Sequence, residues 1–287
     1  MKVEKTMSIK PEDIDLHFLY KYRELETYDV TSNSLVLNNN TRNLLEKGEI
    51  WFSKPSAFND PFDCHLSFDD NFNDKDAYNF FLQRGIPSKE IKKVIKKYKD
   101  NPEEVKKLKN ISSTELFRIF CLSKVKDNIL MWSHYAKNHT GICIGLKIHH
   151  YQHTICIQSN LGQIQNYVDS EGLLPGLYVN YTDDYPKPLN LFNRTSEDIE
   201  PFFLNKSKLW EYEQELRFLL LEQNFVYKDK PIKIPQCEIG EIIFGVNTNK
   251  NLETEIIKII ENNEKLNPKL YKCSLNQFKY KLDITEY

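Results

Sequence analysis

Apolar positions along the 287-residue chain recur with two periods. Short runs such as "HFLYKYREL" (17–25), "FRIFCLSK" (117–124), "GICIGLKI" (141–148) and "GEIIFGVNTN" (240–249) are rich in β-branched and aromatic residues and bounded by polar or turn residues, which predicts strands. The first of these is expected to end near Arg23. "GLYVNYTDDYP" (176–186) reads as a further strand with a proline stop, and "KLYKCSLNQFKYKLDI" (269–284) as one or two more. Helical spacing shows elsewhere. In "TRNLLEKGEIWFSKP" (41–55), Thr41 caps a short helix carrying Leu44 and Leu45, Gly48 ends it, and 50–53 returns to strand. Ile91, Val94, Ile95 and Tyr98 fall on one helix face, "NLETEIIKIIENNEKL" (251–266) is amphipathic, and "EDIEPFFLNKSKLW" (197–210) reads as helical. "DNILMWSHYAKNHTGICIGLKI" (127–148) predicts a helix capped by Asp127, a stop at Gly141 and a strand. "TSNSLVLNNN" (31–40) reads as turn.

This alternation predicts an α+β fold. The expected form is a single domain over residues 16–287, with a mixed, twisted sheet and flanking helices, preceded by a lead-in over 1–15. Residues 70–115 differ in character. They are lysine-rich and helical in pattern, and read as an insertion into that domain. The basic face made by Lys89, Lys92, Lys93, Lys96, Lys97 and Lys99 is either a solvated helix surface or a seat for a phosphate-rich partner, protein or nucleic acid, reached through 89–109.

The stretch "KLWEYEQELRFLLL" (208–221) poses the chemical question. Read as a strand, it puts Glu211, Glu213, Glu215 and Arg217 on one face, at the mouth of an apolar run. Two other clusters accompany it: Tyr20-Lys21-Tyr22-Arg23 at the end of the first strand, and "FNDPFD", where Asn59, Asp60 and Pro61 signal a turn ahead of Asp63.

Composition narrows the alternatives. A formal charge of -2 gives no global field toward nucleic acid or anionic membranes. The opening "MKVEKTMSIKPEDIDL" lacks the apolar core of a secretory signal, no membrane-length apolar run follows, and the six cysteines form no C-x-x-C pair, so the expected setting is cytoplasmic with free thiols. Nine glycines form neither a Rossmann nor a P-loop fingerprint, and no Gly-x-Ser-x-Gly or cysteine-centred nucleophile motif appears. His134 and His139 are five apart, off the i, i+4 spacing of a helical zinc site, and His149, His150 and His153 lack a second half-site, so no metal is expected.

In order, "LYKYR", "IWFSKPSAFNDPFD", "MWSHYAKNHTGICIGL" and "KLWEYEQELRFLL" resemble the bacterial domain-of-unknown-function 2971 family over about residues 19–244. More distantly, the series is similar to the ADP-ribosyltransferase superfamily: a strand ending in a cation, a helix, glycine, a strand with "FS", then Glu-x-Glu. That resemblance implies NAD as substrate. Arg23 would hold its phosphates and ribose, and Ser53 would stand for the serine that orders the nicotinamide pocket, though Ser53 comes early in the chain for that role. Glu215 would stabilise the cationic ribose, and Glu213 would position or deprotonate the acceptor. Tyr22, Trp51 and Tyr135 would sandwich the nicotinamide ring. Asn59, Asp60 and His134 would line the pocket, and Arg217 would tie down a glutamate. No Ser-Thr-Ser block is present, and Tyr20 and Tyr22 stand where another branch carries histidine. A toxin or phage-defence role is what the resemblance suggests. Two alternatives stay open. One is a nucleotide-sensing or partner-binding module in which Glu213, Glu215 and Arg217 form a structural ladder. The other is a metal-dependent nuclease using Asp60, Asp63, Glu213 and Glu215 around Mg²⁺.

Overall fold

The computed structural model describes residues 10, 13, 15–69, 71–111, 117–149, 153–158, 172–221 and 230–287. Most of the lead-in expected over 1–15, the end of the lysine-rich segment and His150 lie outside these residues. Eight strands build the main sheet: β1 (Phe18–Arg23), β2 (Phe117–Ser123), β3 (Ile142–Lys147), β4 (Leu177–Tyr178), β5 (Glu215–Leu221), β6 (Ile239–Phe244), β7 (Lys269–Leu275) and β8 (Leu282–Glu286). Their order is β4-β5-β2-β1-β3-β6-β7-β8. All neighbours are antiparallel except β6 and β7, whose parallel pairing requires a crossover. The crossover is supplied by α7 (Lys250–Glu261), and the sheet is therefore mixed, as the sequence predicts.

Among the described residues, six more helices flank the sheet or extend from it: α1 (Asn39–Lys47), α2 (Asp74–Gln83), α3 (Ser88–Asp100), α4 (Pro102–Ile111), α5 (Ile129–Tyr135) and α6 (Ser196–Leu204). Local chemistry sets their ends. Asn38, not Thr41, caps α1, accepting from the Asn40 and Thr41 amides, and Gly48 stops it at φ +70°. A Cβ on Gly48 would meet the Ile234 carbonyl at 2.2 Å, so both conformation and space require glycine. Asn128, not Asp127, caps α5, because its side chain reaches the Leu130 and Met131 amides. Two stretches differ from their sequence reading. Glu26–Asp29 and Ser34–Leu37 form a hairpin, where turn residues bracket a short apolar run read as turn. The helix expected through Trp210 ends at Leu204, and Asn205–Ser207 then pairs in parallel with Asn180–Thr182.

Strand alternation divides the core. Leu19, Phe120, Leu122, Ile142, Ile144, Leu216 and Phe218 pack on one face, and Tyr20, Tyr22, Trp132, Cys143 and Ile243 on the other. Among the described residues, no helix is long and apolar enough to cross a membrane.

The feature that positions the site is a fork. β1 pairs along its whole length with β3, yet meets β2 in register only at Tyr20 opposite Ser123. Further along, Ser53 takes the vacant edge of β2, exchanging two backbone hydrogen bonds with Ile119 at 2.8 and 2.9 Å. Between these points Lys21 Nζ reaches β2, donating to the Cys121 carbonyl at 3.0 Å.

Candidate functional site

A cavity of about 370 Å³ opens at the fork. That is at the small end of the roughly 300–1,000 Å³ typical of ligand sites. β1 contributes Tyr20, Lys21 and Tyr22, and β2 contributes Ile119, Cys121, Leu122 and Ser123. Met131, His134 and Tyr135 come from α5, and Ser53, Phe58 and Asn59 from the loop before the "DPFD" turn. Asp63, Lys206, Glu213 and Glu215 close the polar end.

The "KLWEYEQELRFLLL" stretch is not one strand. Lys208–Glu213 is a 3₁₀ turn, Gln214 adopts the left-handed conformation at φ 44°, and only then does β5 begin. The kink leaves Glu211 exposed and turns Glu213 inward. Ser123 Oγ donates to the Glu213 carbonyl at 2.6 Å, and the Lys124 amide to that of Gln214 at 3.0 Å, so the kink is fixed by the end of β2. Asn128 ties it to α5 by donating to the Tyr212 carbonyl at 3.3 Å.

Glu213, Glu215 and Asp63 are all buried, together with Lys206 and the fully buried Arg217. Arg217 forks onto Asp63 at 2.8 and 2.6 Å and onto Glu215 at 3.0 and 3.1 Å, and donates to the Phe203 carbonyl at 2.7 Å. Lys206 contacts Glu213 and lies 3.3 Å from Glu215 and 3.4 Å from Asp63. Tyr135 donates its hydroxyl to Glu213, and Asn59 donates to that hydroxyl at 3.2 Å. The Glu215 amide donates to Tyr181 Oη at 2.8 Å. Three carboxylates thus meet two cations at the cavity's polar end, and Lys21 brings a third cation to the cavity from β1.

The two glutamates are driven apart. Burial pushes the Glu215 carboxyl up, but the Arg217 and Lys206 charges outweigh it and hold the group at about 2. Glu213 is raised above its ordinary 4.5, by burial first and by the Glu215 charge, against the pull of Lys206 and Tyr135. Burial also works against the charge on Lys206, but its three carboxylates overcome that and raise it. Lys21 is lowered, chiefly by burial. Because the folded Glu215 sits below its unfolded value of 4.5, its contribution to stability is complete above about pH 4.5 and is lost as pH falls toward about 2. The urea midpoint of the protein should fall over that window, and that of Glu215→Gln should fall less.

Of the residues singled out in the sequence, the structure brings Tyr22, Ser53, Asn59, His134, Tyr135, Glu213 and Glu215 to one cavity. Four do not reach it. Arg23 stands opposite Ile142, so alternation turns it to the other face of the sheet, where burial lowers its guanidinium to about 10. Trp51 is 39% exposed and lines no part of the cavity. Arg217 is walled off behind Glu215 and Asp63. Asp60 accepts from the Phe62 amide at 2.9 Å and lines a separate cleft on the far side of Asp63 and Lys206. The "FNDPFD" block is thus both wall, through Asn59, and brace, through Asp63.

Lys206 was not visible in the sequence. It follows an apolar helix and sits in no motif; the one signal was a single lysine between a helix end and the glutamates it neutralises. Of the four carboxylates of the nuclease alternative, Asp63, Glu213 and Glu215 converge on Lys206, while Asp60 lines the neighbouring cleft. Among the described residues no group of three or more potential metal ligands is arranged to hold an ion.

No curated protein and no solved structure matched the chain. The matched family segment runs from α5 to the apolar run of β5, so it spans Met131, His134, Tyr135, Lys206, Glu213, Glu215 and Arg217 and excludes β1 and the "FNDPFD" turn. Residues 131–218 match the model of the family described as Protein of unknown function (DUF2971).

Proposed function

We propose that the fork cavity binds a nucleotide of the NAD type and cleaves its nicotinamide glycosidic bond, in the manner of an ADP-ribosyltransferase or NAD glycohydrolase. The observation that carries this reading is the convergence of both carboxylates of Glu213-Gln214-Glu215 on one aromatic-lined cavity, with opposite shifts in acidity. Such cleavage develops positive charge on the ribose ring, and a fixed, ionised carboxylate beside it lowers the barrier. Glu215 has those properties: the Arg217 and Lys206 charges hold it ionised against the cost of burial, and Arg217 holds it still. Glu213, raised and hydrogen-bonded to Tyr135, is suited to exchange a proton with the acceptor or with water.

Tyr20, Tyr22 and Tyr135 give flat apolar surface for a nicotinamide ring. Ser123, on β2 and at the cavity wall, fits the pocket-ordering serine better than Ser53, whose backbone is occupied by β2. Lys21, in place of Arg23, is the cation that β1 brings to the cavity. A cavity of about 370 Å³ is at the small end for a ligand site, so part of the dinucleotide would lie outside it.

A second reading has its own support. Both oxygens of Glu215 are engaged, one by Arg217 and the other by Arg217 and Lys206, as in a structural ion pair. On that reading the cavity holds a nucleotide without cleaving it. Incubation with NAD, with and without bacterial lysate, separates the two by chromatography of free nicotinamide. Release supports the enzyme. A melting-point rise with NAD and no release supports the binding module. Neither effect removes both.

A further inference from the structure

We infer that the outer face of α3 and α4 is a docking surface for single-stranded nucleic acid, a function separate from the fork cavity. Residues 88–111 hold nine lysines and four acidic residues within a chain of formal charge -2, so positive charge is concentrated here while the rest of the protein is acidic. On α3, Ile91 and Ile95 are buried, and the lysines occupy the opposite side. Lys89, Lys92, Lys93 and Lys96 are exposed and have no acidic partner among the described residues, and the same holds for Lys106 on α4. The pairs that do exist, Lys97 and Lys107 with Glu104 and Lys99 with Asp74, are exposed, and pairs of that kind contribute little.

The charge is organised. Lys92, Lys96 and Lys99 recur at i, i+4 and i+7 and so share one side of α3. That row runs into a groove of about 790 Å³ between α3, α4 and the segment before α2. Lys99, Lys106 and Lys109 rim the groove, and Tyr98, Phe72 and Asn73 line it. Both rings are half-buried, with their inner sides packed on the Phe192 cluster. A cationic track beside aromatic and amide groups matches a strand whose phosphates pair with lysine and whose unpaired bases stack. A duplex would offer the phosphates without the free bases. An anionic lipid surface or an acidic peptide would use the charge and leave the groove unfilled.

Fluorescence anisotropy with labelled single-stranded DNA and RNA of about 20 nucleotides, and with the matching duplex, tests this. Five lysine–phosphate contacts give a log–log salt slope near -3.5, so single-strand affinity should fall roughly 100-fold between 50 and 200 mM salt. The variant Lys92→Glu/Lys96→Glu/Lys106→Glu changes only exposed side chains. It should keep the wild-type melting point and lose affinity by roughly 100-fold or more. Tyr98→Leu should weaken the single strand several-fold with little change in salt slope. No binding at 50 mM salt, unchanged binding by the triple variant, or equal affinity for duplex, phosphatidylserine vesicles or polyglutamate would overturn the proposal. DNA and RNA arms that differ would identify which strand is preferred.

Discussion

Replacing Arg217 by alanine should destabilise the protein by about 3–5 kcal/mol, as breaking a buried charge network does by leaving charge uncompensated. Arg217 is fully buried, and it neutralises Asp63 and Glu215 while capping the Phe203 carbonyl. Without it, three carboxylates face Lys206 alone. Two of those charges must then take up protons or admit water, and the Phe203 carbonyl loses its donor. Lysine would restore the charge but not the planar fork that bonds two carboxylates at once, so Arg217→Lys should recover only part of the loss. The urea midpoint at neutral pH measures both. Because Asp63 lies 154 positions from Arg217, the loss should also loosen the "FNDPFD" turn, seen as faster amide exchange there. A change below about 1 kcal/mol would mean that the network is not what holds Glu215 in place.

Glu213→Gln should lower NAD cleavage by about 100- to 10,000-fold, the range for removing a general acid–base group. The pH profile separates this from simple damage. As a base, Glu213 must be ionised, so wild-type activity should fall as pH drops through a value above 4.5, where burial and Glu215 have raised it. The variant should keep its residual rate without that limb. Tyr135→Phe tests the same assignment from the other side. The tyrosine hydrogen bond favours the ionised carboxylate, so its loss should move the limb to higher pH while leaving the maximal rate closer to wild type. An unchanged limb in Tyr135→Phe would remove Glu213 from the proton transfer.

Much of the frame was legible because short apolar runs have few other uses. β1, β2, β3, β6 and α7 stand where periodicity places them, and Gly48 ends α1 as its position implies. The hairpin after β1 was hidden because only one residue at an end of each strand is buried, so no alternation betrays a buried face. The site was half legible. Glu213, Glu215 and Tyr135 were found because they lie in compact motifs. Lys206 was missed because its role depends on a parallel pairing with Asn180–Thr182 that no local pattern encodes. Arg23 was assigned by its place at a strand end, but alternation turned it away, and Lys21 two residues earlier reached through the fork instead. The kink at Gln214 was invisible for a related reason. Two-residue spacing of charge looks the same whether it arises on a strand or across a left-handed turn.

Cleavage of the nicotinamide bond of NAD in the fork cavity, as proposed, depends on the charge on Glu215. Nicotinamide release by Glu215→Gln, run beside wild type at matched concentration with melting points for both, tests it most directly. The wild type should release measurable nicotinamide, and the variant, still folded at the assay temperature, should lose about 100- to 1,000-fold. Equal release by wild type and folded variant, or none from either with lysate present, would contradict it.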